Sequence, residues 1–133
     1  MTYKVFDVVR VPFPFTDSKS SKRRPALILS DESAFNTPAG HSVMAMITSQ
    51  QHSPWPLDCS IEDLTAAGLP APSIVRFKLF TLDHRLVHGK VGELSGSDRQ
   101  QVAAKLGELL KSATSVSPVP DRPGKKSQSG GRE

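Results

Sequence analysis

Short apolar runs interrupted by turn residues constrain the fold of this chain more than any other feature of its sequence. The runs are rich in Val, Ile, Leu and Phe. They lie at residues 5–15, 25–30, 41–48, 57–61, 73–77, 79–82 and 88–92. Several short strands separated by turn signals predict a β-barrel or a β-sandwich.

One helix is predicted after these runs. Ser97 and Gln100 have the spacing of a capping box, in which each side chain bonds to the other residue's backbone N–H. An apolar stripe at helical spacing follows, formed by Val102, Leu106, Leu109 and Leu110. The expected architecture is therefore mainly β: a small β-barrel closed by a C-terminal helix.

Composition divides the chain into a folded part and a tail. Residues 112–133 are rich in Ser, Pro, Gly and Lys, and their only large apolar residues are Val116 and Val119. Such a segment buries too little apolar surface to offset the entropy lost on ordering. We therefore expect one domain at residues 1–111 and a disordered tail at residues 112–133.

The formal net charge of +4 gives only weak support for a nucleic-acid partner. Residues 112–133 hold four Lys or Arg and two acidic residues, so half of this charge lies in the predicted tail. Basicity of the whole chain does not by itself identify an RNA or DNA partner. Local clusters of cations have to make that case.

The sequence favours a cytoplasmic protein with no membrane association. No apolar run approaches the roughly 18 residues that span a bilayer. The N-terminal residues lack the charged start, apolar stretch and cleavage site of a secretory signal. The single cysteine, Cys59, can form no internal disulfide, which is compatible with a reducing compartment.

Three adjacent cations form the first candidate site. Lys22, Arg23 and Arg24 stand directly before the apolar run that begins at Pro25. Guanidinium groups match the geometry of phosphate oxygens and stay protonated at any working pH. The cluster is therefore a candidate phosphate-binding site on the barrel rim. On composition alone, a solvated and solubilising loop is the more frequent explanation.

Two further groups of polar residues follow or interrupt predicted strands. Thr48, Ser49 and Gln50 come at the exit of one strand, where hydroxyls and amides can bind phosphate, ribose or base edges. Ser and Thr at such positions more often bond to local backbone. Arg76 and Lys78 alternate with apolar residues, so both cations share one face of a strand. They form a second candidate strip for a nucleic-acid backbone, although paired surface charges are usually only solvated.

The remaining motifs do not indicate a metal ion or another cofactor. The four histidines lack the spacing of a metal site, and no group of cysteines accompanies them. His52 could act as a general acid or base, although an exposed loop histidine is the commoner case. Trp55 could stack on a base or fill the mouth of the barrel. No nucleophile elbow or phosphate-binding glycine loop is present.

In their order along the chain, these segments resemble the MazF/PemK family of toxins. Residues 6–17, FDVVRVPFPFTD, are similar to the family's first strand and loop, and residues 22–30, KRRPALILS, to its second strand. Weaker similarity follows at residues 47–50, 73–76 and 78–83, and in the terminal helix. The resemblance covers roughly residues 4–110. It implies an SH3-like barrel, typically a homodimer, that cleaves single-stranded RNA without a metal and is inhibited by a cognate antitoxin.

The resemblance also implies roles for individual residues. The family's catalytic arginine falls on Arg24 and its catalytic threonine on Thr48. The ribose 2′-hydroxyl would attack the neighbouring phosphate, Arg24 would stabilise the charge that develops, and Thr48 would hydrogen-bond the phosphate. The expected substrate-binding residues are Asp17, Lys22, Arg23, Ser49, Gln50, Arg76 and Lys78.

Lys78 departs from the pattern of some relatives, which carry an acidic residue at this position. A cation cannot replace a carboxylate acceptor, so the acid–base residues and the cut sequence stay open. Two alternatives remain beside RNA cleavage. One is a non-catalytic toxin of the same fold that poisons DNA gyrase, and the other is an inactive SH3-like binding module. The basic cluster together with Thr48 favours the ribonuclease.

Overall fold

Six antiparallel strands form a curled half-barrel in the computed structural model of this protein, which describes residues 2–13, 22–50 and 54–119. In chain order they are β1 Asp7–Phe13, β2 Lys22–Ile28, β3 His41–Ser49, β4 Cys59–Ser60, β5 Ser73–Asp83 and β6 Lys90–Glu93. Across the sheet their order is β4-β5-β3-β2-β1-β6. The helices are α1 Thr37–Ala39, α2 Leu64–Ala67 and α3 Gly96–Thr114, with a π-helical turn at Glu32–Asn36 and a 3-10 turn at His84–Leu86. The prediction of a mainly β fold with a C-terminal helix is confirmed.

The two faces of the sheet have separate apolar cores. On the first, which we call the helix face, strand residues pack with α2 and α3; its members include Val8, Leu27, Ala45, Ile47, Val75, Ala67 and Val102. The opposite face has a smaller core formed by Tyr3, Val9, Val11, Ala26, Ile28, Met44 and Leu82. Since successive strand residues point to opposite faces, adjacent residues such as Val8 and Val9 enter different cores.

The strands differ from the sequence prediction at their ends. β2 begins at Lys22, so the cations that were expected in a loop belong to the strand, where they pair with β1. The two runs predicted at residues 73–77 and 79–82 form one strand, β5. A bulge joins them: Ala45 of β3 lies opposite Leu79, but Met46 lies opposite Arg76. The extra residues let one long strand bend with the curled sheet.

The start of α3 was predicted two residues too late. The N-cap is Ser95, whose hydroxyl accepts the Asp98 backbone N–H at 3.3 Å. The Asp98 carboxylate is buried and accepts the backbone N–H groups of Glu62 and Asp63, each at 3.0 Å. Ser97, the predicted cap, lies inside the helix. A spacing rule could not separate the two serines, because the distant loop that Asp98 bonds decides where the helix begins.

The predicted apolar stripe of α3 packs along only half of its length. Val102 is buried and Leu106 packs against the helix-face core. Leu109 and Leu110 are 39% and 40% exposed. The helix continues to Thr114, three residues into the segment that composition assigned to the tail. Its second half therefore extends past the surface of the sheet.

Residues 31–40, between two of the predicted strands, fold into short helices. The Asp31 carboxylate accepts the Ala34 N–H at 2.8 Å and begins the π-helical turn. Asn36 is fully buried and donates to the backbone oxygens of Tyr3 and Ser30, at 2.8 and 3.0 Å. These bonds fix the N-terminal segment over the core of the opposite face.

Two glycines allow α2 to lie directly on β6. Gly68 ends α2 with φ of 73°, and a Cβ added there would stand 2.0 Å from the Val91 oxygen. A Cβ added at Gly92 would stand 2.4 Å from the Ala67 carbonyl carbon. Both contacts are between backbones, so no side-chain movement could relieve them.

In the part of the chain that the structure describes, no helix is long and apolar enough to cross a membrane.

Candidate functional site

The opposite face of the sheet has a closed end and an open end. At the closed end, the Tyr3 segment covers the core described above. Further along the same strands lies a pocket of about 230 Å³, which we call the open end, lined by Phe13, Arg24, Met46, Thr48, Arg76 and Lys78. Strand alternation therefore brings four of the residues singled out in the sequence, from β2, β3 and β5, into one pocket.

Arg24 is a partly buried residue of the pocket lining. Its guanidinium carbon lies 5.4 Å from the centroid of the Phe13 ring, within range of a cation–π contact. Its Nε atom is buried and has no hydrogen-bond partner among the described residues. A guanidinium N–H without a protein partner costs free energy unless something binds it. Arg24 is thus placed to donate to a ligand in the pocket.

Thr48 lies near Arg24, where β2 and β3 separate. The two strands pair from Ile28 to Ala26 on β2, with Ala26 opposite Met46. The same register, continued by two residues, would place Arg24 opposite Thr48, but the pairing stops before it. A second pocket of about 220 Å³ opens there, and Arg24 and Thr48 line it as well as the first. The two side chains therefore stand between adjoining pockets.

Arg76 is held by a carboxylate that the sequence did not point to. Its Nε and a terminal nitrogen donate to the two oxygens of Asp58, at 3.1 and 2.9 Å. This hydrogen-bonded guanidinium holds the pKa of Asp58 below its ordinary value, and Asp58 raises the pKa of Arg76. Asp58 lay inside a predicted strand at residues 57–61, of which only Cys59–Ser60 is strand. Asp58 instead lies in a turn that places its side chain at the pocket.

Lys78 and Trp55 form the rim of the open end. The Lys78 Nζ lies 4.5 Å from the centroid of the Trp55 ring, and the Arg76 guanidinium carbon lies 5.9 Å from it. Trp55 is 41% exposed, so it does not fill the mouth of the barrel. Of the two functions considered for this tryptophan, only a surface role fits its position.

Two cations of the open end have no carboxylate partner among the described residues. Within the described ranges, the ion pair at the pocket is that of Arg76 with Asp58, and neither Arg24 nor Lys78 has a carboxylate within 4.0 Å. Thr48 lines the same pocket as these two cations. Cations and a hydroxyl that converge in a partly enclosed pocket suit an anionic ligand such as a phosphate group.

Other residues predicted for the site lie farther out. Lys22 and Arg23 are exposed at the start of β2, and only Lys22 shares the strand face of Arg24. Ser49 lines the second pocket. Gln50 is exposed, with its amide nitrogen 3.3 Å from the Ser60 hydroxyl. Asp17 and His52 lie outside the described residues.

A larger pocket, of about 490 Å³, lies beside the closed end. Its titratable side chains already have protein partners: Arg85 is ion-paired with Asp83 at 2.7 Å, and the His84 Nε2 lies 2.7 Å from the Ser42 hydroxyl. Burial lowers the pKa of His84. Over the described ranges, no three His, Cys, Asp or Glu side chains are arranged to hold a metal ion. The larger pocket is therefore the weaker candidate for binding a charged ligand.

Solved structures of other proteins share this fold. The MazE–MazF complex from Deinococcus radiodurans matches with a TM-score of 0.65 and 22% identity, over 84% of this chain and 98% of that one. An endoribonuclease in complex with its cognate antitoxin from a mycobacterial species matches with a TM-score of 0.64 and 16% identity, over 82% and 95% of the two chains. A Mycobacterium tuberculosis MazF toxin matches at 0.61 and 20%, over 79% and 96%. At these identities the likeness concerns the fold.

Sequence comparison identifies the family. No curated protein sequence is significantly similar to this chain. The sequence pattern of PemK-like, MazF-like toxins of type II toxin–antitoxin systems matches residues 4–110. This range includes all six strands and most of α3. The chain therefore belongs to the PemK-like, MazF-like toxin family of type II toxin–antitoxin systems.

Proposed function

We propose that this toxin is a cytoplasmic, metal-independent endoribonuclease that cleaves single-stranded RNA at short sequences. The observation that carries the proposal is the position of Arg24 and Thr48 between two adjoining pockets on the open end. A phosphate between these side chains would meet a cation and a hydroxyl donor together. The family membership and the solved endoribonuclease of the same fold support this assignment.

The reaction uses the substrate's own nucleophile. The ribose 2′-oxygen attacks the neighbouring phosphorus, and the bond from phosphorus to the 5′-oxygen breaks. The products are a 2′,3′-cyclic phosphate and a free 5′-hydroxyl, with one proton lost at the 2′-oxygen and one gained at the 5′-oxygen. Arg24 stabilises the charge on the phosphoryl oxygens, and the Thr48 hydroxyl donates to one of them. Fixed donors of this kind favour the transition state over the ground state.

Two charged residues of the site are poor general bases. One of them is Arg24, and arginine side chains stay protonated at any working pH. Asp58 is ion-paired with Arg76, which lowers its pKa and makes it a weak proton acceptor. Both residues therefore act through charge and position.

A cognate antitoxin controls the activity by covering the open end. The cations Arg24 and Lys78 would attract an acidic segment of the antitoxin, which would fold as it binds. Solved relatives of the same fold include complexes with MazE and with a cognate antitoxin. The toxin itself acts as a homodimer, as the resemblance implies. An inhibited complex that bound RNA with undiminished affinity would disprove competition at this site.

A single 2′-deoxy substitution tests the mechanism. Cleavage of a mixed single-stranded RNA first locates the cut site, and a synthetic RNA with that site then serves as substrate. We expect cleavage in EDTA with 5′-hydroxyl products, and no cleavage when the 2′-hydroxyl at the cut site is replaced by hydrogen. Thr48→Val, purified identically, controls for contaminating nucleases. Cleavage of the deoxy substrate at the normal rate would mean that water attacks and that the proposed mechanism is wrong.

The exposed end of α3 favours the second candidate, a non-catalytic toxin that poisons DNA gyrase. Leu109 and Leu110 offer apolar surface on a helix near the end of the described chain. Such a surface could bind a protein target. Inhibition of gyrase supercoiling without RNA cleavage would support this alternative, whereas RNA cleavage lost in Arg24→Lys would exclude it.

A further inference from the structure

We infer that Asp58 is a positioning residue that neutralises Arg76, so that Arg24 and Lys78 are the two cations of the pocket that bind substrate phosphates. The inference rests on the proposed function and refines it. It assigns Arg76 a role in shaping the pocket, where the sequence suggested a phosphate contact.

The geometry of the pair supports this assignment. Both Asp58 oxygens are used, one by the Arg76 Nε at 3.1 Å and the other by a terminal nitrogen at 2.9 Å. The second oxygen also accepts the Trp55 backbone N–H at 3.0 Å. The Asp58 carboxylate therefore links the segment at Trp55 to the Arg76 guanidinium on β5, and it holds both in place.

Burial makes the pair hard to separate. The Arg76 and Asp58 side chains are only 11% and 17% exposed, so solvent screens them little. Removing one partner of a buried pair leaves an uncompensated charge, which is unfavourable. A phosphate that bound Arg76 would have to displace Asp58, or bind beside its negative charge.

Arg24 and Lys78 have no comparable ion pair among the described residues. In the described part of the chain neither has a carboxylate within ion-pair distance, and each is in contact with an aromatic ring, Phe13 or Trp55. Both line the pocket that Thr48 enters. As far as the described residues are concerned, a phosphate can therefore bind either cation without breaking an ion pair.

Asp58 also explains the cation at position 78. Where some relatives have an acidic residue at that position, this chain supplies a carboxylate to Arg76 from the turn before β4. The low pKa of Asp58 keeps it ionised, so it fixes charge and does not carry protons. Position 78 is then available for a second phosphate contact.

The salt dependence of RNA binding measures how many cations contact phosphates. For a single strand, each contact contributes roughly 0.7 to the slope of log affinity against log salt. The ligand is a fluorescent RNA with a 2′-deoxy residue at the cut site, so binding is measured without cleavage. We expect Lys78→Gln to flatten the slope by about 0.7, which corresponds to about 2.6-fold less affinity lost over a fourfold rise in salt.

The decisive variant is Asp58→Asn combined with Arg76→Gln, which removes both charges and retains polar groups. We expect its slope to equal that of the parent, because the pair contributes no net contact. Asp58→Asn alone should steepen the slope by about 0.7, since Arg76 then becomes available to phosphate. If the double variant flattens the slope as much as Lys78→Gln does, Arg76 binds phosphate and the inference is wrong.

The outcomes separate this inference from the proposed function. If Arg24→Gln and Lys78→Gln both leave the slope unchanged, RNA does not bind at this pocket and the proposed function fails with it. If Arg24→Gln and Lys78→Gln flatten the slope and only the double variant departs from expectation, the proposed function is supported. The role inferred for Asp58 is then wrong. The double variant tests the idea even if Asp58→Asn alone does not fold, because it leaves no unpaired charge.

Discussion

The closed and open ends of the sheet's opposite face are built from the same strands but serve different purposes. At the closed end, β2 and β3 contribute Ile28 and Met44, both fully buried beneath the Tyr3 segment. Four residues further along each of these strands, the inward positions are Arg24 and Thr48. One end removes apolar surface from water, and the other leaves polar groups available.

The comparison separates stability from reactivity along one strand. Closed-end side chains stabilise the fold through burial. At the open end, the buried Nε of Arg24 lacks a partner among the described residues, so that residue lowers stability in the absence of ligand. Residues of one strand therefore have opposite effects on the free energy of folding, and substitutions at the two ends should separate the two properties.

The largest expected effect on stability is at the closed end. Ile28→Ala should lower the free energy of unfolding by about 2–5 kcal/mol, since Ile28 is fully buried and the truncation leaves a cavity. Urea denaturation measures this loss, and Ile28→Val, with a loss of about 0.5–1.5 kcal/mol, is the matched control. Cleavage per folded molecule should not change. A loss of cleavage without a loss of stability would contradict the assignment of the closed end to stability alone.

At the open end, Arg24→Met should give the reverse result. Cleavage should fall roughly 10²–10³-fold, because a donor to the transition state is lost. The free energy of unfolding should rise by about 1 kcal/mol, because the buried nitrogen without a partner is replaced by apolar atoms. Initial cleavage rates and urea denaturation measure the two effects. Lower stability in this variant would show that Arg24 supports the fold after all.

Thr48→Val tests the hydroxyl with little change in shape. A hydrogen bond to a charged group contributes about 1.5–3 kcal/mol, so cleavage should fall about 10- to 150-fold. Stability should stay within about 0.5 kcal/mol of the parent. Thr48→Ser retains the hydroxyl and should keep most of the activity. Equal activity of the valine and serine variants would remove Thr48 from the mechanism.

The smallest effect concerns pH and lies beside the closed end. Burial lowers the pKa of His84 below 6.5, so below that pH the unfolded chain binds the proton more readily than the folded one. Stability should therefore decrease as the pH falls from about 6.5 towards the lowered pKa. His84→Gln should lose less stability than the parent over this range, as measured by thermal melts. Identical pH profiles of parent and variant would contradict this.

Local patterns in the sequence predicted the strands and the helix but not their ends. The apolar run of β1 follows from burial on both faces of the sheet, whereas the stripe at Val102 and Leu106 follows from burial on one side of the helix. The cap at Ser95 did not follow, because it depends on the bond from Asp98 to a loop more than thirty residues earlier. Leu109 fits the stripe by spacing alone, yet the sheet ends before reaching it.

Some residues of the candidate site could be predicted from the sequence, and one could not. Arg24, Thr48, Arg76 and Lys78 could be singled out from the sequence because each lies in or beside a strand with a clear pattern. Asp58 could not, because its importance comes from a contact eighteen residues away across two strands. Sequence patterns identify residues by their neighbours in the chain, and an ion pair between segments leaves no such pattern.

The close approach of the α2 and β6 backbones at Gly68 and Gly92 has a consequence for how variation in this chain is interpreted. A library of all single substitutions, selected for toxicity, would tolerate only glycine at these two positions. Both would score with Arg24 in such a profile, although they lie at the junction of α2 and β6 and line none of the pockets described for the open end. Intolerance to substitution would therefore mark two kinds of position, and only selection for folding without toxicity would tell them apart.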